Sequence, residues 1–115
     1  MNKNIDSFEI NKIGWRFDHT YARSLSSMIS KINPVPVKKP KMIILNHDLA
    51  KNLELNFSNI EDDKLASIFS GNSLPLKSEC IAQAYAGHQF GHFTLLGDGR
   101  AIVIGEHLLK NNERF

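Results

Sequence analysis

The run from Ala84 to Glu106, AYAGHQFGHFTLLGDGRAIVIGE, constrains the fold more than any other part of the chain. Gly87 and Gly91 disfavour a continuous helix through it. Beyond them, the corner Gly97-Asp98-Gly99-Arg100 is flanked on both sides by β-branched and large apolar residues, which is the pattern of a β-hairpin. Asp-Gly supplies the positive φ angles that a tight hairpin turn requires. Strands are therefore predicted on either side of the corner, with Ile102, Ile104 and Glu106 facing one way and Ala101, Val103, Gly105 and His107 the other. Both faces are largely apolar, so the strand expects cover on both. KNNE (110–113) predicts a second turn, and Arg114-Phe115 the start of a third strand. Two paired strands alone are marginal in water, so the sheet is expected to be incomplete within the chain.

Upstream of the corner the pattern is helical. Phe17, Tyr21, Leu25 and Met28 recur at spacings of four, four and three, predicting a helix from Phe17 to Ile29 with these residues on one face. Pro34, Pro36 and Pro40 then forbid a helix and impose an extended strap. MIILN (42–46) predicts a short buried strand, after which Asn46 is placed to cap a helix carrying Leu49 and Leu53. Ser58 and Glu61 have capping-box spacing ahead of Leu65, Ile68 and Phe69, and Gly71 is placed to end that helix. A further helix is predicted from about Lys77 to Ala86, stopping at Gly87.

The corner admits two chemical readings. One is a tight turn and nothing more, with Asp98 setting its geometry by bonding to backbone. In the other, the backbone N–H groups at Gly97 and Gly99 approach the phosphates of a nucleotide at close range, and Arg100 adds a fixed cation with paired hydrogen bonds. His88 and His92 stand four apart, a spacing shared with zinc sites on helices. The preceding glycines and the lack of a HExxH pattern favour a backbone-bonding role for them at the bend. His19, His47 and His107 are isolated and read as surface or structural. Cys80 reads as core, with nothing basic beside it to lower its pKa.

Composition removes several alternatives. The 115 residues carry a formal charge of +2 spread along the chain, with only the short cluster at Lys38, Lys39 and Lys41 standing out, so nucleic acid is not an expected partner. One cysteine excludes an internal disulfide and multi-cysteine metal sites and fits a reducing compartment. No secretory leader or apolar run of spanning length is evident, and a soluble, cytoplasmic protein is expected.

Within YAGHQFGHFTLLGDGRAIVIGE, the sequence resembles the selenoprotein O (SelO, or YdiU) family. FDHTYAR, NPVPVKKPKMIILNHDLAKNLEL and FSGNSLPLKSECIAQAYAGHQFG are each similar to successive parts of that family, so the resemblance runs from about Trp15 to the last residue. It implies an α+β fold, with N-terminal helices followed by the first β-hairpin of a protein-kinase-like N-lobe. On this division, residues 1–16 form an N-terminal arm and 17–115 part of a pseudokinase domain. The resemblance further implies a protein adenylyltransferase that binds ATP and Mg²⁺ in a pose flipped relative to kinases and transfers AMP to protein hydroxyls. UMP transfer is also attributed to bacterial members. Gly97, Gly99 and Arg100 match the family's nucleotide-binding residues. The family's phosphate-contacting lysine, catalytic aspartate and magnesium ligands have no counterpart here, so the chain is expected to lack catalysis by itself. It would act as the N-terminal piece of the enzyme or as a binding module that pairs with a separately encoded remainder. A small histidine metalloprotein is the third reading.

Overall fold

The computed structural model describes residues 7–89, 91–96 and 101–115. In chain order these form α1 (Ser7–Asn11), β1 (Phe17–Asp18), α2 (Thr20–Ser24), a single 3₁₀ turn (Ser26–Met28), β2 (Ile29–Lys31), α3 (His47–Asn52), α4 (Asp62–Phe69), β3 (Ile81–Gln83), β4 (Tyr85–Gln89), β5 (His92–Leu96) and β6 (Glu106–His107). The fold is α+β, with short antiparallel pairs in place of one finished sheet. β1 pairs with β6, β2 with β3, and β4 with β5.

The helical half is built around one apolar cluster. Ile10, Ile13, Ala50, Leu55, Phe57, Leu65 and Ile68 are buried together, and Trp15, Met42, Leu45, Leu53 and Ile60 pack against them. α3 begins as its sequence predicts, because the Asn46 side chain accepts a hydrogen bond from the Leu49 amide at 2.9 Å. That contact satisfies a first-turn N–H that would otherwise lack a partner. α4 ends as predicted too. Gly71 adopts φ +83°, and its N–H reaches the Ile68 carbonyl at 3.0 Å. A Cβ there would sit 2.7 Å from Pro34 Cβ, so the glycine also lets the proline strap lie against the helix end. Asn72 then clamps the strap from both sides, accepting from the Val37 amide at 2.8 Å and donating to the Val37 carbonyl at 2.7 Å.

Four local expectations are not met. The helix predicted over Phe17–Ile29 is broken into β1, α2 and the 3₁₀ turn, because Phe17 and Asp18 pair with His107 and Glu106. The helix predicted over Lys77–Ala86 is instead β3 and the start of β4. Ile81, Ala82 and Gln83 pair with Lys31, Ser30 and Ile29, and Ile81 and Ala82 are only 2% and 1% exposed. Ser58 does not cap α4; its amide and hydroxyl both bond to Asn56 Oδ1, and Glu61 occupies the cap position without a side-chain bond. MIILN makes no ladder among the described residues. Met42 and Leu45 turn toward the core, while Ile43 and Ile44 point outward.

The hairpin forms with different arms from those predicted. β5 pairs backwards with β4, matching Tyr85 to Leu96 and Gln89 to His92. His88 and His92 therefore lie on facing strands of one hairpin and not on one helical face. The segment after residue 100 pairs elsewhere, through Val103 with Ile81 and through β6 with β1. The second turn stands where KNNE places it. Leu109 N–H bonds the Glu113 carbonyl, and His107 and Phe115 exchange both backbone bonds at 2.8 and 2.9 Å. Arg114-Phe115 thus runs as the returning arm of that turn, bridged through Leu108.

Candidate functional site

Gly97, Gly99 and Arg100, the three candidate nucleotide contacts, lie outside the described residues together with Asp98 and Phe90. What the structure places are the two legs that flank the corner. The incoming leg is β5, whose last residue Leu96 stands opposite Tyr85. The outgoing leg is fixed at Val103, which exchanges both backbone hydrogen bonds with Ile81 at 2.9 and 3.0 Å. One continuous run, 81–85, therefore holds both legs. β2 holds the other edge of that run, and the Ala84 amide adds a bond to the Met28 carbonyl at 2.8 Å.

The outgoing leg is secured further along by packing and charge. Gly105 leaves room for the ring of Phe17; a Cβ at this position would stand 2.6 Å from Phe17 Cδ1. Glu106, next in the chain, takes a hydrogen bond from the Thr20 hydroxyl and another from the Tyr21 amide at 3.1 Å. α2 has no side-chain cap of its own, so a carboxylate from the far end of the chain satisfies its first turn. Burial pushes the Glu106 carboxyl up, but the bonds from Thr20 and Tyr21 and the charge of Arg114 outweigh burial and hold it below its usual range. Asp18 is lowered as well, first by the His19 amide at 2.8 Å and then by Arg114.

A second network ties this region to the helical core. His107 is 4% exposed. Its Nδ1 accepts from the Arg16 amide at 3.2 Å, so Nε2 carries the proton and donates to the Leu53 carbonyl at 2.7 Å. The imidazole edge also meets the Trp15 ring, with centroids 5.4 Å apart, while Trp15 stacks on Phe17 at 5.3 Å. The Arg16 guanidinium donates to the Leu108 carbonyl at 2.9 Å and pairs with Glu54. Glu54 is held below its usual range by Arg16 and, next, by the Lys110 amide.

Cys80 is buried as expected, and burial raises its thiol pKa, which makes it a poor nucleophile. Among the described residues, no group of three or more His, Cys, Asp or Glu side chains is arranged to hold a metal ion. No helix among them is long and apolar enough to cross a membrane. The Asp18, Thr20, Glu106 and Arg114 cluster had no signature in the sequence, since Glu106 read only as one residue of a strand. Its partners Thr20 and Tyr21 lie more than eighty residues away.

Comparison with known proteins places the corner and its legs in a family. The profile of the family described as "Protein adenylyltransferase SelO" matches residues 12–115. Similar curated relatives include the protein nucleotidyltransferase YdiU of Pelagibacter ubique, 65% identical over 103 residues, which cover 90% of this chain and 21% of the relative. The YdiU protein of Nitrosococcus oceani is 56% identical, over 89% of this chain and 21% of its own. That of Anoxybacillus flavithermus is 49% identical, over 87% of this chain and 21% of its own. The chain belongs to the SelO protein adenylyltransferase family. It spans about a fifth of the length of the curated relatives it matches.

Proposed function

We propose that the chain is the N-terminal part of a nucleotidyltransferase that moves AMP, with UMP as the alternative, from a nucleoside triphosphate to Ser, Thr or Tyr hydroxyls of proteins. On this reading residues 17–115 form part of a pseudokinase N-lobe. Gly97 and Gly99 offer backbone N–H groups to the nucleotide, and Arg100 adds a fixed charge. The observation that carries the reading is the family match over residues 12–115, which includes the corner and both of its legs. The paired anchors at Tyr85–Leu96 and Ile81–Val103 support it, because groups that stabilise a transferring phosphoryl must be held in place before the reaction.

Magnesium would neutralise phosphate charge in such a site. On this reading its ligands come from the part of the family's length this chain does not span. The same applies to the catalytic aspartate and the phosphate-contacting lysine, and the chain alone would be inactive. What this chain contributes is orientation of the nucleotide.

The test is a full-length chimera in which this chain replaces the matched 103 residues of the Pelagibacter relative. With Mg²⁺ and α-labelled ATP it should label protein, and Arg100→Ala should lower transfer by about 10²-fold, as loss of one preorganised donor does elsewhere. Transfer that persists undiminished in Arg100→Ala would overturn the assignment of that residue.

A further inference from the structure

One side of the helical core is open. Ile43 and Ile44 are 96% and 84% exposed, and Leu49 and Phe69 are 51% and 52% exposed. Ile44, Leu49 and Phe69 wall a groove of about 310 Å³ whose floor is Ala50, Leu55 and Phe57, members of the buried cluster itself. Asn46 is the one polar side chain at its edge apart from the Trp15 indole, and Asn46 is already engaged by the Leu49 amide. The groove is thus an uncovered face of the core and not a rim of scattered surface residues. Continuous apolar faces of this kind mark contact sites.

We infer that this groove seats an apolar segment of the same polypeptide, drawn from the part of the full-length fold that this chain does not span. The relatives are about five times as long as the matched region, so most of the fold that could cover the face lies outside these residues. A second copy fits less well. A two-fold contact places the same patch on both sides, and would bring the exposed Lys38, Lys39 and Lys41 of both copies, which lead directly into Met42, toward one interface. A lipid surface would take up the protruding Ile43 and Ile44 but would leave the floor at Ala50, Leu55 and Phe57 unfilled. The inference rests on family membership and not on the nucleotide chemistry proposed above.

The test compares thiol labelling of Ile44→Cys in this chain alone and in the full-length chimera, with peptide mapping to separate the new cysteine from Cys80. A side chain already 84% exposed can be replaced without disturbing the core. Labelling is expected to be at least about tenfold slower in the full-length protein, independent of protein concentration. Hydrogen exchange over residues 42–49 of the unsubstituted pair provides a second readout, expected to slow in the same direction. Equal labelling and equal exchange would overturn the inference. So would protection of the isolated chain that grows with its concentration, which indicates a second copy, or protection that appears only with anionic phospholipid vesicles. Since no arm uses nucleotide, failure here leaves the transferase reading standing, and the converse holds.

Discussion

Asp18 and Glu106 face each other as cross-strand partners and share one cation, with Arg114 Nη1 3.1 Å from Asp18 Oδ2 and 3.0 Å from Glu106 Oε1. Like charges directly opposite in a sheet repel, so the pairing of the first strand with the last depends on what stands between them. Arg114 comes from the returning arm of the KNNE turn, which links that turn to the β1–β6 contact. Arg114→Ala should lower Tm by a few degrees in a thermal melt, and by less in high salt, since the pair is partly exposed and screened. An unchanged Tm at low salt would show that the cation is dispensable.

Acid should weaken the same contact. Asp18 and Glu106 are both held below their ordinary values of 3.8 and 4.5 in the folded chain. A carboxyl depressed on folding contributes stability that is complete above its unfolded pKa and is lost as pH falls through the folded one. Melts between pH 7 and pH 2 should therefore be level near neutrality and should fall below about pH 4.5, with Glu106→Gln showing a shallower decline. A decline that begins above pH 6 would point to a group other than these two.

Gly105→Ala should destabilise the chain by about 1–3 kcal/mol, the usual range for overpacking. The added Cβ would meet Phe17 Cδ1 at 2.6 Å and Cγ at 2.8 Å. Phe17→Leu placed in the same chain should recover part of the loss, because it removes the ring that the methyl strikes. Additive losses in the two variants would show that the glycine acts on its own backbone and not through Phe17.

At His107 the question is whether packing or hydrogen bonding matters more. His107→Phe keeps a ring in the space but leaves the Arg16 amide and the Leu53 carbonyl without their partner. A loss of about 1–3 kcal/mol in total is expected for leaving these part-buried groups unpaired. Denaturant unfolding that shows His107→Phe as stable as the parent would assign His107 to packing alone.

What was legible in the sequence was local. Asn46 as a cap, Gly71 as a stop and KNNE as a turn each depend on residues within a few positions, and each is found where it was expected. The helix over Lys77–Ala86 was plausible by the same local reasoning. It is overruled because Ile29–Lys31, some fifty residues upstream, offers a strand that buries Ile81 and Ala82. Likewise the spacing of Phe17, Tyr21, Leu25 and Met28 is helical, yet Leu25 and Met28 are 39% and 47% exposed, and the first turn is ended by its pairing with β6. The glycine corner was legible as a feature of the chain. Its legs were not, because each pairs with β3 or β4 and not with the other.

The β1–β6 pairing also has a consequence in time. Phe17 leaves the ribosome well ahead of its partner His107, which lies 90 residues further along the chain. At about 5–20 residues per second, roughly 5–20 s separate the synthesis of the two. During that interval Phe17 and the first turn of α2 wait without the strand and the carboxylate that complete them. A nascent chain arrested before residue 106 should therefore bind holdase chaperones through the Trp15–Phe17 segment, and one arrested after residue 115 has emerged should not.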